Sequence, residues 1–437
     1  MDDPLAEVSE IDWASLNHAY GAAIDIPQVL HHLAQPNLSE EELLGIYRDL
    51  YSKLYHQGTR YSASVATAPF LLRLADRPGT LQRQRLFQYL IVLAIGDPDS
   101  HMKQGGFNIA ARRAEAEEML EDGYVERKLD HIVDAQDDLD RHLREMRVMR
   151  RLIEQRIQQR QIGVQVYDAV KDGLPIFQRA LNSSEVTLRA VALYALSWFP
   201  EEIEQTQSVL FEFIGKEQQE ALRGTALYYL AFLQQSRSLA GEYPNPSLVH
   251  GLSEVFEQTQ QGDFAHLCAA LALGRLGAAQ TPHIGELLRK IADPTYLSDF
   301  DSRDSDGVLP FIVPNTTYLV LTALRATRGC EFPNVPLTLA AALSTLSEES
   351  ATSRLFGFTE IALRSAFDGK PLHNLPPFDS LSAPQQAVVR ALAGITNFHW
   401  FFTQDDLCAK LGGWGLPDTL ETIRAYASVT QAVYNEK

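Results

Sequence analysis

Hydrophobic residues along this chain recur at spacings of three and four, in runs cut short by Gly, Pro or small polar clusters. That period predicts amphipathic helices separated by tight breaks. Leu43, Leu44, Tyr47, Leu50, Tyr51 and Leu54 share one helix face, and Ser39 with Glu40, Glu41 and Glu42 before them reads as a capping-box start. The run breaks at His56-Gln57-Gly58-Thr59. Gly58 is expected to cap that helix and Thr59 to open the next, which carries Ala63, Ala66, Phe70, Leu71 and Leu74 and stops by Pro78-Gly79. Leu81 to Ile95 is strongly apolar and ends at Gly96-Asp97-Pro98. Upstream, Ile11 to Tyr20 predicts a helix closed by Gly21, and Asp25-Ile26-Pro27 opens another that runs to about Leu33. Residues 99–111 read as a loop.

Tyr124 to Ile162 departs from this rhythm. It holds no Gly or Pro, and Leu129, Ile132, Gln136, Leu139, Leu143, Met146, Arg150, Ile153 and Ile157 form a heptad seam with polar interruptions. The pattern predicts one helix of about 39 residues, ~58 Å long. Acids come first (Asp130, Asp134, Asp137, Asp138, Asp140) and arginines last (Arg141, Arg144, Arg147, Arg150, Arg151, Arg156, Arg160), the order the helix dipole favours. Asp137–Arg141 and Asp140–Arg144 are favourable i,i+4 pairs. The seam is expected to pack on Arg112 to Leu120 or on a second copy of the same helix, antiparallel, as a homodimer through 124–162.

Gly163 to Pro200 then reads as a helical hairpin with small residues where the helices touch. Ser183-Ser184-Glu185 starts its second helix, and Pro200 stops it. LRAVALYAL (188–196) is echoed by LRGTALYYL (222–230) and, more weakly, by HLCAALALG (266–274) and LVLTALRAT (319–327). Ala190, Ala192, Gly224, Ala226, Cys268 and Ala270 would let neighbouring helices approach. Hairpins of this kind cannot bury their faces alone and stack into a solenoid. Loops are expected at 241–246, 298–314 and, the largest, 370–384. A helix follows over Gln385 to Ile395, then an aromatic cluster at Asn397 to Phe402, a turn at 412–415 and a last helix from Pro417 to about Tyr434. The domains read as 1–111, N-terminal helical repeats; 112–162, a long charged insertion; and 163–437, a continuous solenoid.

The formal charge is −18, from 38 Lys+Arg against 56 Asp+Glu. Nucleic-acid affinity comes from neutralising phosphates with cations, so this balance speaks against nucleic acid and anionic membrane as main partners, a local basic patch excepted. Cys268, Cys330 and Cys408 each sit in or beside an apolar run and read as buried free thiols of a reducing compartment. With no secretory segment at MDDPLAEVSEIDW and no run long enough to span a bilayer, a cytoplasmic protein is expected.

The helix pairs resemble HEAT repeats, whose second helix has a V-x-x-x-R-A-x-A form matched from Val186 through Arg189 to Ala192. Four segments look like those of a group of bacterial HEAT-repeat proteins. They are His18-Ala-Tyr-Gly21, His56-Gln-Gly-Thr-x-Tyr61-x-Ala-Ser64, Tyr167-Asp-Ala-Val170 and Tyr194-Ala-Leu-Ser-Trp198-Phe-Pro200. The likeness is best over 11–96 and 163–235 and weak beyond 300, and the long charged helix departs from it. It implies an all-α HEAT-like solenoid with a scaffold role and brings no catalytic residues.

Enzymes on this fold are the competitors. The di-iron hydroxylases use His-Glu pairs, and none of the 12 histidines here precedes a Glu. HEAT-like DNA glycosylases need a cationic face, which the net charge opposes, and nothing specific supports a bilin-lyase relative. The acidic loop 299–307 places Asp304, Asp306 and Gly307 as a calcium loop would, but Val313 stands where the bidentate Glu belongs, so a solvated loop is the simpler reading. His31 and His32 point apart and do not chelate. No metal or cofactor is expected. For partner binding the candidates are Arg144, Arg147 and Arg151 on one face of the charged helix, His56 and Tyr61 at the inter-helix break, and Trp400 and Phe401 in the aromatic cluster. The expectation is a non-enzymatic scaffold or adaptor that binds a protein. An immunity-type inhibitor sequestering a bacterial toxin is the alternative, and an enzyme of unknown type comes third.

Overall fold

The computed structural model describes residues 3–98, 100–101, 106–130, 139–239, 241, 245–260, 263–291, 335–346, 352–396, 398 and 403–429. Nearly all regular structure there is helical, so the all-α class holds. Among the described residues the strands are two antiparallel two-residue pairs, β1 (Asn17–His18) with β2 (Gly21–Ala22) and β3 (Tyr55–His56) with β4 (Thr59–Arg60). No described helix is long and apolar enough to cross a membrane. The chain divides into two compact units, residues 1–216 with 232–244 and residues 217–231 with 245–437.

The first unit opens with α1 (Ile26–Leu33), α2 (Glu40–Leu54), α3 (Ser62–Asp76) and α4 (Arg83–Ile95). Ser39 caps α2 as its sequence predicts, its hydroxyl accepting from the Glu42 N–H while the Glu42 carboxylate accepts from the Ser39 N–H. The helix expected over Ile11 to Tyr20 is absent. Trp13 Nε1 donates to the Val8 carbonyl at 2.7 Å, and His18 Nδ1 takes the Tyr20 N–H at 3.0 Å, so side chains satisfy backbone groups that a helix would have used. The β1–β2 hairpin forms in its place.

Gly58 does not cap α2. It sits with Gln57 at the two-residue turn of the β3–β4 hairpin, both at positive φ (+50° and +83°), as a type I′ turn requires. Buried Ser64 ties the hairpin down: its hydroxyl donates to the Leu54 carbonyl at 2.7 Å and accepts the Tyr61 N–H at 2.9 Å. The first hairpin leans on the same corner through Ala19 N–H to Lys53 O (3.0 Å) and Asn17 N–H to Ser62 Oγ (2.9 Å).

The charged segment is not one rod. After α5 (Ile109–Glu118) it runs as α6 (Tyr124–Asp130) and α7 (Leu139–Lys171). Arg150 Nη1 reaches Glu126 Oε1 at 3.1 Å, although the two are 24 residues apart. In a single straight helix that separation is about 36 Å, so α6 and α7 lie side by side. Nor does α7 end at Gly163, which lies well inside it. A helical glycine costs about 1 kcal/mol, too little to stop a helix whose second half packs on α3, α4 and α5. The contact of α7 with α5 runs through Arg160 with Glu115 and Gln161 with the Ala116 carbonyl, and a boundary drawn at 162/163 falls within one helix.

The unit closes with α8 (Leu174–Ala180), α9 (Val186–Leu196) and α10 (Ile203–Lys216). Here the Tyr167 and Trp198 segments form core: both side chains are fully buried, and Tyr167 lies against Phe107 and Phe199 at centroid distances of 5.6 and 5.3 Å. Helix α11 (Glu220–Ser238) contributes to both units.

In the second unit, α12 (Pro246–Gln258) and α14 (Thr281–Ile291) pack on α13 (Phe264–Arg275), of which every residue is buried except Phe264. The echoed segments 188–196, 222–230 and 266–274 are thus α9, the front of α11 and most of α13, central helices of small and apolar residues. Next come α15 (Val335–Leu346), α16 (Thr352–Ala366), α17 (Ala383–Ala393), α18 (Gln404–Gly413) and α19 (Leu420–Ala427). The last begins at a Thr419 cap rather than at Pro417, and Ser428 follows it at φ +56°. The fourth echo (319–327), the acidic loop 299–307, Cys330, Trp400, Phe401 and 430–437 lie outside the described residues.

Candidate functional site: an arginine-lined cleft

Three segments far apart in sequence meet in the first unit: the β3–β4 turn, the start of α5 and the middle of α7. Between them is a cleft of about 240 Å³ lined by Gly58, Thr59, Arg60, Ala94, Phe107, Ile109, Arg112, Arg156, Gln159, Arg160, Gly163 and Val164. On α7 the lining positions follow i, i+3, i+4, i+7, i+8, a single helix face. A second lobe of about 460 Å³ shares Arg112 and Arg160 with the first and adds His101, Gly106, Asn108, Ala111, Glu115 and Leu239.

Arg60 dominates the chemistry. Only 8% of it is exposed. Its Nε donates to the Leu93 carbonyl and its guanidinium lies 5.5 Å from the centre of the Tyr55 ring, but Nη2 is buried with no hydrogen-bond partner among the described residues. The two Nη atoms lie between two glycines. A Cβ on Gly96 would stand 3.2 Å from Nη2, and one on Gly163 would stand 4.0 Å from Nη1. Burial lowers the Arg60 pKa to about 10; the nearby charges of Arg112 and Arg160 push the same way, and Tyr55 opposes them. The group is therefore still cationic at neutral pH. Burial and Arg160 likewise lower Arg112, whose guanidinium rests 4.7 Å from the centre of the Phe107 ring.

One carboxylate reaches this cluster. Glu115 Oε2 is 2.6 Å from Arg160 Nη2, and its Oε1 is 3.7 Å from Arg156 Nη2. Gln161 fastens α7 to α5 beside it by donating to the Ala116 carbonyl at 2.7 Å. His101, at the far lobe, is held below its ordinary pKa by burial and by Arg112 and Arg60, against the opposing Ile95 hydrogen bond and the Asp97 charge. Its Nε2 meets the Ile95 carbonyl at 3.0 Å, so that nitrogen carries the proton and Nδ1 is an acceptor. An unpaired buried cation costs several kcal/mol, and three further guanidiniums around it make the site suited to an anion.

Of the residues singled out from sequence, those described do not line this cleft. His56 sits on β3, four residues before Arg60, its ring edge-on to the exposed Tyr20 at 5.6 Å. Tyr61 directly follows Arg60 and precedes α3. Arg147 and Arg151 are exposed on α7, toward its N-terminal end and outside the lining; the Arg144 side chain, like Trp400 and Phe401, lies outside the described residues. Sequence reading missed Arg60, Arg112, Gln159 and Gly163 as a site. The available signal was Arg60 inside the HQGTRY segment and Arg156, Arg160 and Gly163 on one face of the charged helix.

Among the described residues no three His, Cys, Asp or Glu side chains converge as metal ligands. No family model, curated protein or solved structure matches the chain.

Proposed function

We propose that the chain is a non-catalytic binding protein on a HEAT-like helical scaffold, and that it recognises its partner through an anionic group seated in the arginine cleft. The observation that carries this reading is the buried guanidinium of Arg60, a residue of the cleft lining whose Nη2 has no hydrogen-bond partner among the described residues. What supports binding over turnover is the lining of the first lobe, which apart from Thr59 and Gln159 consists of arginines, glycines and apolar residues.

The test is thermal denaturation of the full chain across a panel of small anions (phosphate, sulfate, a phosphate ester, acetate, succinate, citrate) at constant ionic strength, on wild type and on Arg60→Met. The proposal expects at least one class to raise the wild-type midpoint in a saturable way and to leave the variant unmoved. A wild-type midpoint unmoved by any anion, or a variant that responds as wild type does, refutes it.

A further inference from the structure

The same cleft carries enough geometry to name the class of anion. We infer that it takes a small phosphate monoester, with the phosphate between Arg60, Arg112 and Arg160 and the organic group in the neighbouring lobe. This rests on the anion-binding reading above and adds the ligand's chemistry.

Charge is the first argument. Four guanidiniums line the first lobe, and Glu115 offsets one of them. A monocarboxylate would leave two cations uncompensated, whereas a phosphate monoester brings about −1.5 to −2 charge and three acceptor oxygens. Donor geometry is the second. Arg60 has already committed Nε to the Leu93 carbonyl, which leaves the fork of Nη1 and Nη2, with Nη2 buried and lacking a partner among the described residues, and such a fork matches two oxygens of one phosphate. Lysines would supply point charges without that fork, and none lines either lobe. Space is the third. The lobe that shares Arg112 and Arg160 has about 460 Å³, with Asn108 and His101 as polar contacts and Leu239 as an apolar one, which suits a small polar organic group.

Gly163 fits the same account. It lies inside a 33-residue helix, where glycine is unfavourable, yet a Cβ there would meet only Arg60 Nη1 at 4.0 Å. Packing does not demand the glycine; an open cleft does. Glu115 acts as the resident anion. Its carboxylate holds Arg160 and Arg156, and a ligand phosphate competes with it for Arg160.

Titration calorimetry on the full chain at fixed ionic strength tests this with three probes: inorganic phosphate, glucose 6-phosphate and succinate. The sugar phosphate is expected to bind about 10-fold tighter than phosphate, and succinate about 10-fold weaker than phosphate. Arg60→Met should weaken the sugar phosphate by about 10-fold or more, as loss of a charged hydrogen-bond donor does. Glu115→Gln should tighten it several-fold by removing the competitor. Gly163→Leu, which fills the cleft from a helix that tolerates leucine, should abolish binding with an unchanged circular dichroism spectrum, and so guards against an Arg60 variant that misfolds. Succinate binding as tightly as the sugar phosphate would overturn the phosphate assignment and leave the anion reading standing. A sugar phosphate no tighter than inorganic phosphate would overturn the monoester. Weaker binding in Glu115→Gln, or full binding in Gly163→Leu, would show that the ligand sits elsewhere.

Discussion

Two glycines inside helices should respond to the same substitution with opposite signs. Gly224, on α11, faces α13: a Cβ there would lie 2.4 and 2.6 Å from Phe264 Cδ1 and Cε1 and 2.9 Å from Cys268 Sγ. Carbon contacts are comfortable at about 3.5–4.0 Å, so the ring must retreat by about 1 Å. Overpacking of this kind costs about 1–3 kcal/mol, and the gain in helix propensity on going from Gly to Ala returns about 1 kcal/mol. Gly224→Ala should therefore destabilise by up to about 2 kcal/mol. At Gly163 the only neighbour is Arg60 Nη1 at 4.0 Å, an ordinary contact, so the propensity gain stands alone. Gly163→Ala should stabilise by about 0.5–1 kcal/mol. Gly45, on α2 with nothing within 4 Å of its Cβ, is the control for an open site and should behave like Gly163.

The assay is urea denaturation of the full chain followed by circular dichroism, with Trp13 and Trp198 reporting on the first unit and Trp414 on the second. Replacing Phe264 with Leu in the Gly224→Ala background removes ring atoms from the clash and should recover part of the loss, a coupling that a double-mutant cycle isolates. Stabilisation by Gly224→Ala, or equal shifts for Gly224→Ala and Gly163→Ala, would refute the claim that the small residue in LRGTALYYL exists for helix contact.

Three further outcomes follow from the geometry. Ser64→Ala strands the buried Leu54 carbonyl and the Tyr61 N–H, and should cost about 1–3 kcal/mol in the same denaturation assay. His101 should titrate below its ordinary value by NMR, because burial and then Arg112 and Arg60 favour the neutral ring. The unfolded chain then takes up this proton first, so the His101 contribution to stability is complete above the ordinary histidine pKa and declines as pH falls below it. His101→Gln should flatten that decline, and saturating phosphate, by neutralising the arginines, should move the His101 titration upward. Cys268, fully buried and with its thiol pushed far up by that burial, should resist iodoacetamide in the folded protein and react in urea, as mass spectrometry of the labelled peptide would show.

Much of the helical layout was legible because it is local. The capping box at Ser39, the Gly96 terminator and the apolar faces of residues 40–54 and 62–76 depend only on neighbours within a turn or two, and the structure places them as expected. Failures came where a longer-range contact outweighed a local signal. Periodicity from Leu129 to Ile157 reports which face of a helix is apolar; it does not report whether the helix continues, and Glu126 meets Arg150 across two packed helices. Gly163 looked like a terminator because glycine is costly in a helix, but that cost is small beside the packing of α7 on three neighbours. The β1–β2 hairpin stands where periodicity predicts helix because its backbone meets partners far along the chain, the Ala19 N–H at the Lys53 carbonyl and the Asn17 N–H at Ser62 Oγ. The cleft was the least legible of all. Its arginines come from positions 60, 112, 156 and 160, and each segment alone reads as solvated surface.

The acidity that spoke against nucleic acid now argues for a small ligand. With four arginines gathered at the cleft, the rest of the chain is more acidic than the total of −18 implies. A nucleic acid or an anionic bilayer would have to press an extended negative surface against that remainder, and repulsion would act over the whole contact. A small phosphate feels it only during approach, within a Debye length of about 10 Å at 0.1 M salt, and then enters a site where burial strengthens the attraction. The two effects respond oppositely to salt. Added sodium chloride should screen the repulsion and hold or raise the association rate, while it speeds dissociation from the mouth residues Arg156 and Arg160. A rate of capture that falls steeply with salt, as electrostatic steering by a cationic surface requires, would mean that the cleft's own field reaches further than the acidic remainder allows.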